Sequence, residues 1–159
     1  MKRKGVEIID INVKELIKDL NRALAAEALA AYRYKLLSNL VSGINSPQVA
    51  EVFNEMSKDE WNHVGLLMER IVQIEGKPIT NTSDWQKYSY STYKEPPKDP
   101  TDLEKMIKDS VEDEREAIDF YNKLYSKTQH ADPVTAQVIQ EILAEEVDDE
   151  DKLLRLLGE

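Results

Sequence analysis

A carboxylate and an imidazole stand where a helical core should be apolar. Around the segment NEMSKDEWNHVGLL, positions three and four apart share one helix face, and that face reads Phe53, Met56, Glu60, His63, Leu67. An ionised carboxylate leaves water at a large cost unless a cation meets it, so Glu60 and His63 predict either an ion pair or a metal site. A lone Glu-x-x-His is short and common. The pattern recurs near the C-terminus, however, where Ile139, Ile142, Glu146, Asp149 and Leu153 hold the same relative places, with Asp149 at the position of His63. Bundles that hold two metals take one Glu from each of two helices and a Glu-x-x-His from each of two others. Two further inward glutamates are therefore expected.

Capping signals supply the helices to carry them. The chain reads as all-α, a four-helix bundle in a single domain over 1–159. The first helix, 12–43, opens with Asn12 and Glu15 as a capping box and closes at Gly43; the second, 46–76, opens with Ser46-Pro47 and closes at Gly76. The third, 100–128, opens at Asp99-Pro100 or at Thr101 with Glu104, and the fourth, 132–157, follows the Asp132-Pro133 cap and ends near Gly158. Segment 77–99 differs in kind, with Asn81-Thr82-Ser83, Pro96-Pro97 and four aromatics, Trp85, Tyr88, Tyr90 and Tyr93. Its turn residues break helical periodicity, and its length suits one long crossover that lays its aromatics over a groove of the bundle. His130, in the last loop, reads as solvated.

The inward stripe of the first helix is Leu16, Leu20, Leu24, Glu27, Ala31, Tyr34, and that of the third is Leu103, Ile107, Val111, Glu114, Ile118, Tyr121. Glu27 and Glu114 are the two expected glutamates; Glu112 and Glu116 fall off the stripe. The halves of the chain then come into register. Glu27 precedes Glu60 by 33 residues and Glu114 precedes Glu146 by 32, while Pro47 and Pro133 each lie 13 before their glutamate. Tyr34 and Tyr121 each lie seven past theirs, positioned as core aromatics or as hydrogen-bond partners of an opposite acid. A pseudo-twofold pair of helix hairpins would bring all six site residues to one point. The competing reading is a structural bundle whose inward acids meet Arg22, Arg33 and Arg115.

Composition narrows the partners. A formal net charge of -10 argues against a nucleic-acid partner, although Lys2, Arg3 and Lys4 make a short basic start, and it favours cations. Absence of cysteine removes disulfides, thiolate metal sites and thiol nucleophiles, so any metal is held by oxygen and imidazole. With no signal-like or membrane-spanning apolar run, the expected location is the cytoplasm.

The segments LNRALAAEALAAYRY, DEWNHVGLLMERIVQIEGKP and EILAEEVDDEDKLL resemble the first, second and fourth helices of bacterioferritins. With WQKYSYSTYKEPPKDP and EREAIDFYNKL, the chain from Val13 onward is most similar to the Dps-like, bacterioferritin-related members of the ferritin-like superfamily. The resemblance implies two iron ions, or manganese as the alternative metal, on Glu27, Glu60, His63, Glu114 and Glu146. It also implies oxidation of Fe(II) by peroxide or oxygen for iron storage or oxidative-stress protection, in a homo-oligomeric shell of twelve subunits. Two departures stand out: Asp149 replaces the family's second histidine, and the cysteine pair of many Dps-like members is missing, with Glu116 at one of its positions. The alternatives are a peroxide-decomposing di-metal enzyme, resembling rubrerythrin or manganese catalase, and a structural bundle with a degenerate site.

If two metals bind, Glu60 and Glu146 bridge, and Glu27, His63, Glu114 and Asp149 are terminal ligands. Five carboxylates and one neutral imidazole carry one negative charge more than two divalent cations neutralise. That surplus predicts tight retention of Fe(III).

Overall fold

The computed structural model of the protein describes residues 3–159; Met1 and Lys2, the latter part of the basic start, lie outside the described residues. In chain order the helices are α1 (Lys4–Glu7), α2 (Val13–Leu40), α3 (Ser46–Gln73), α4 (Trp85–Tyr88, entered through a 3-10 turn at Thr82–Asp84), α5 (Leu103–Thr128) and α6 (Pro133–Leu157). No strand occurs among the described residues. Helices α2, α3, α5 and α6 form the expected bundle. Cross-helix bonds set their directions: Tyr34 meets Glu114 and Tyr121 meets Glu27, so α2 and α5 run oppositely. His63 meets Glu145 and Arg70 meets Asp132, so α3 and α6 do too. The short turns at 41–45 and 129–132 return α3 along α2 and α6 along α5. Helices α3 and α5 are then parallel, which only a crossover can connect.

Local chemistry explains the starts of α2 and α6. Asn12 Oδ1 accepts from the backbone N–H of Lys14 and Glu15 at 3.0 and 3.2 Å, and Asp132 Oδ1 from that of Thr135 at 3.1 Å. Other ends move from their predicted places for tertiary reasons. Helix α2 stops at Leu40 because Ser42 N–H bonds the carbonyl of Pro100 at 2.9 Å, and Gly43, at φ 106°, shapes the turn instead. The Ser46 hydroxyl donates to the Gly43 carbonyl rather than capping α3. Asp102 caps α5, while Asp99 closes a turn on Thr101 one step earlier. After α3 it is Glu75 that takes the left-handed conformation, φ 62°. Gly76 is required for packing: a Cβ there would sit 2.8 Å from Ile17 Cγ1 and 2.9 Å from the Ile71 carbonyl oxygen.

The crossover is partly ordered by packing that periodicity does not announce. Tyr90 stacks on Phe120 at 4.1 Å and meets Tyr121 edge-on, and Trp85 sits edge-on to Trp61. Tyr88, by contrast, is exposed, so not every crossover aromatic covers the bundle. Before α2, Ile9 and Ile11 pack on the core and Asp10 N–H bonds the Ala131 carbonyl at 2.8 Å. This segment is too short for a periodic signal. His130 is exposed, as expected.

Two apolar clusters fill the interior, one built on Leu20, Leu24, Leu67, Ile71, Leu124 and Ile139 and the other on Leu37, Phe53, Met56, Met106 and Leu153. The inward acids lie between them. One end is tied by a buried ion pair, in which Arg70 Nη2 donates to both Asp132 oxygens at 3.0 and 2.8 Å and Nε to Thr135 Oγ1 at 2.7 Å. Removing one partner strands a buried charge and here also removes the α6 cap, so Asp132→Ala should lower unfolding stability in urea by roughly 3–5 kcal/mol, and Asp132→Asn by less.

Candidate metal centre

Six inward polar residues are completely or almost completely buried at mid-bundle: Glu27 on α2, Glu60 and His63 on α3, Glu114 on α5, and Glu146 and Asp149 on α6. Each occupies its helix's apolar stripe, so burial of the neighbouring leucines and isoleucines carries the acid inward with them. Glu112 and Glu116 are exposed. Glu27, Glu60, His63 and Glu146 form one tight group, whose donor atoms all lie within 4.8 Å of one another. His63 Nδ1 is 3.2 Å from Glu27 Oε2, 3.1 Å from Glu60 Oε2 and 3.2 Å from Glu146 Oε1. A single nitrogen faces three carboxylates.

The two tyrosines act reciprocally. Tyr34 OH on α2 donates to Glu114 Oε1 on α5, and Tyr121 OH on α5 donates to Glu27 Oε1 on α2. Each holds one oxygen of its glutamate and leaves the other turned to the centre. Glu114 Oε2 is buried with no hydrogen-bond partner among the described residues, and Glu146 Oε1 has only the shared, poorly aligned His63 Nδ1 at 3.2 Å; buried acceptors left so are rare and costly. A small, partly open cavity of about 40 Å³ adjoins Glu27, Tyr34, Glu60, Glu114 and Glu146. About 10–15 Å³ on this measure holds one water-sized occupant. Hard anionic oxygens around one imidazole, with unclaimed lone pairs facing a small cavity, fit divalent cations such as iron or manganese.

The arginine alternative fails for the glutamates. Arg22 pairs with Asp19, Arg33 with Asp113 and Arg115 with Glu150. It holds in modified form for Asp149, where a lysine rather than an arginine intervenes: Lys152 Nζ lies 2.7 Å from Asp149 Oδ1 and 2.9 Å from Asp148 Oδ2. The surplus negative charge expected from Asp149 is therefore offset within the protein. Asp149 and Glu114 also stand outside the tight group of four, so the six residues form an asymmetric set rather than one symmetric cluster.

Sequence reasoning missed three contributors. Glu145, beside Glu146, accepts from His63 Nε2 at 2.8 Å and orients the ring so that Nδ1 faces inward. Lys152 is the second. The third is a polar clamp over the cavity: buried Arg33 bonds the Lys94 carbonyl at 2.9 Å, Ser110 Oγ at 3.0 Å and Asp113 at 3.0 Å, and Lys94 itself pairs with Asp113. It fastens the crossover to α2 and α5. An i, i+3 reading of each helix face could have flagged Lys152 after Asp149; nothing in the sequence pairs Glu145 with His63.

Burial raises the carboxyls of Glu60, Glu114 and Glu146, helped by mutual repulsion, and Glu146 is pushed up to about 7. Burial also raises Glu27, but hydrogen bonds from Glu60, His63 and Tyr121 outweigh it and its net shift is downward. Burial opposes the imidazolium of His63, yet bonds to Glu146, Glu27 and Glu60 hold its proton far above the usual range. Groups with raised pKa keep protons in the folded state that the unfolded chain has released. Between about pH 5 and 8 the folded protein binds more protons, so stability falls as pH rises. Melting measured in chelator should therefore drop across this interval, and Glu146→Gln should flatten the drop; a melting temperature that rises with pH would contradict the assignment.

Comparison with known proteins bears on the family and the fold. A ferritin-like domain model matches residues 17–159. The DNA protection during starvation protein of Pyrococcus furiosus is 28% identical over 148 residues, 93% of this chain and 80% of that protein. Among solved structures, the bacterioferritin-related protein of Bacteroides fragilis, described as a dodecameric thioferritin, aligns with a TM-score of 0.94 at 30% identity, covering 99% of this chain and 94% of that one. A ferritin-like, diiron-carboxylate protein of Bacillus anthracis aligns with a TM-score of 0.74 at 26% identity, covering 91% and 96%. On its sequence, its fold and the family model that spans nearly all of it, the chain belongs to the ferritin-like domain family.

Proposed function

We propose that this protein binds Fe(II) at the buried carboxylate–histidine centre and oxidises it with peroxide or oxygen, serving iron storage or protection from oxidative stress. The observation that carries the reading is the group of Glu27, Glu60, His63 and Glu146, buried yet unclaimed by any arginine or lysine. Those four residues would hold one ion. Glu114 and Asp149, with Glu60 and Glu146 as bridges, would hold a second. Two neighbouring Fe(II) ions supply the two electrons that peroxide accepts; with two protons taken up, two Fe(III) and two waters result, and no radical is released.

The chain's own residues handle the protons. His63 must lose its Nδ1 proton, and the raised carboxyls theirs, before they can act as ligands, so binding releases protons and tightens with pH. Tyr34 and Tyr121 keep Glu114 and Glu27 from rotating away, and the crossover with its Arg33–Asp113–Lys94 clamp limits water access. The relatives' names are in keeping with this chemistry: one is described as a diiron-carboxylate protein and another by DNA protection during starvation. With net charge -10, direct DNA binding is disfavoured; consuming Fe(II) and peroxide would protect DNA without contact. No thiol takes part, since the sequence has no cysteine.

A homo-oligomer, with the dodecamer of the Bacteroides fragilis relative as its template, forms part of the proposal. Exposed Tyr32, Trp61, Met68 and Val72 on α2 and α3 offer apolar surface for contact between copies. No helix among the described residues is long and apolar enough to cross a membrane; a cytoplasmic location forms part of the proposal.

Stopped-flow measurement of ferric absorbance with Fe(II) and peroxide tests the activity. Wild type should exceed buffer, and Glu60→Ala or Glu146→Ala should abolish the excess; equal rates in protein and buffer would reject the reading. Glu145→Ala, which frees the His63 ring without removing a ligand, should weaken metal affinity by about 10–100-fold. Saturating Fe(II) or Mn(II) should raise the melting temperature at neutral pH, with about 2.7 kcal/mol of added stability at a hundredfold excess over Kd.

A further inference from the structure

The pseudo-twofold relation between the hairpins is broken at one point. On α3 the pair is Glu60 and His63, and Glu145 reaches from α6 to the outer nitrogen of His63. On α6 the pair is Glu146 and Asp149, and the counterpart of Glu145 is Asp59, the residue just before Glu60, whose charge acts on Asp149. A histidine at 149 could donate to Asp59 as His63 does to Glu145. Asp149 cannot, because carboxylate would face carboxylate, and Lys152 enters from the rim to supply the missing cation. The Lys152 side chain is 35% exposed, whereas the Asp149 side chain it holds is 3% exposed.

We infer that Lys152 makes the two metal positions of this centre unequal: the Glu27–Glu60–His63–Glu146 position fills first, and the Glu114–Asp149 position fills later and more weakly against the lysine. The inference rests on the metal-binding reading above and adds an order of filling to it. Three observations carry it. Only the first position has four donors already gathered within 4.8 Å. At the second, Tyr34 occupies Glu114 Oε1 and Lys152 occupies Asp149 Oδ1, leaving one oxygen on each. Finally, the Lys152 ammonium bonded to a ligand repels an arriving cation until it is displaced, and at a few ångströms such a repulsion is worth on the order of tenfold or more in affinity.

The lysine also has somewhere to go. It shares its ammonium between Asp149 and the exposed Asp148, one helical turn away. When a second ion takes Asp149, Lys152 keeps the Asp148 contact and swings outward. The second position is thus closed by a displaceable internal cation.

The test titrates chelator-stripped, full-length protein with Mn(II) alone under anaerobic conditions, read by calorimetry and by electron paramagnetic resonance. Wild type should bind in two steps. The first equivalent should give the six-line spectrum of isolated ions, with spin-coupled signal only beyond it, the second step being about tenfold or more weaker. Lys152→Gln should tighten the second step and bring coupled signal in earlier while leaving the first unmoved, whereas Lys152→Arg should keep the wild-type gap. Two equal steps in wild type, or an unchanged gap in Lys152→Gln, would overturn the inference and leave the metal centre standing. Failure of wild type to bind either Mn(II) or Fe(II) would overturn the metal centre itself and this inference with it.

Discussion

Putting five carboxylates and a histidine into the middle of an apolar bundle is the constraint on which the rest of this structure depends. Unpaired, such a layer would be expelled to water or would unfold the bundle. It persists because protons and fixed donors stand in for cations. The His63 proton sits among three carboxylates, Tyr34 and Tyr121 cross between α2 and α5, and Lys152 serves Asp149. Each substitute satisfies one oxygen and leaves another facing the centre. The apolar clusters above and below exclude water, which makes every charge in the layer count for more.

The same layer organises the fold. Reciprocal tyrosine–glutamate bonds fix the register of α2 against α5, and the His63–Glu145 bond fixes that of α3 against α6. A one-turn slip of any helix would break these bonds and bury an acid against leucine. The Arg70–Asp132 pair pins one end, and the Arg33 clamp ties the crossover down over the cavity. Polar groups here set geometry more than they add stability, since a buried ion pair seldom outperforms apolar packing.

Much of this was legible before any coordinates. The stripes through Glu27, Glu60, Glu114 and Glu146 identify the four inward acids because helical periodicity is local: a residue three or four along must share its neighbour's face. The Asn12 and Asp132 caps are legible for the same reason, as is the long crossover at its run of prolines and turn residues. Helix ends set by distant partners were not. Leu40 ends α2 because Pro100, sixty residues away, takes the N–H of Ser42, and after α3 the left-handed residue is Glu75, while Gly76 serves the close approach to Ile17 and Ile71.

Asp149 shows where the division falls. By itself the sequence determined that four helices form, which face of each turns inward, and that an aspartate replaces one histidine in an otherwise repeated pattern. Those facts follow from spacing along one chain segment at a time. Only the tertiary structure decided that Glu145 orients His63, that both tyrosines reach across to opposite glutamates, and that Lys152 cancels the surplus charge of Asp149. Pairing across helices depends on register, rotation and side-chain reach together, and none of these is encoded at a fixed distance in the sequence.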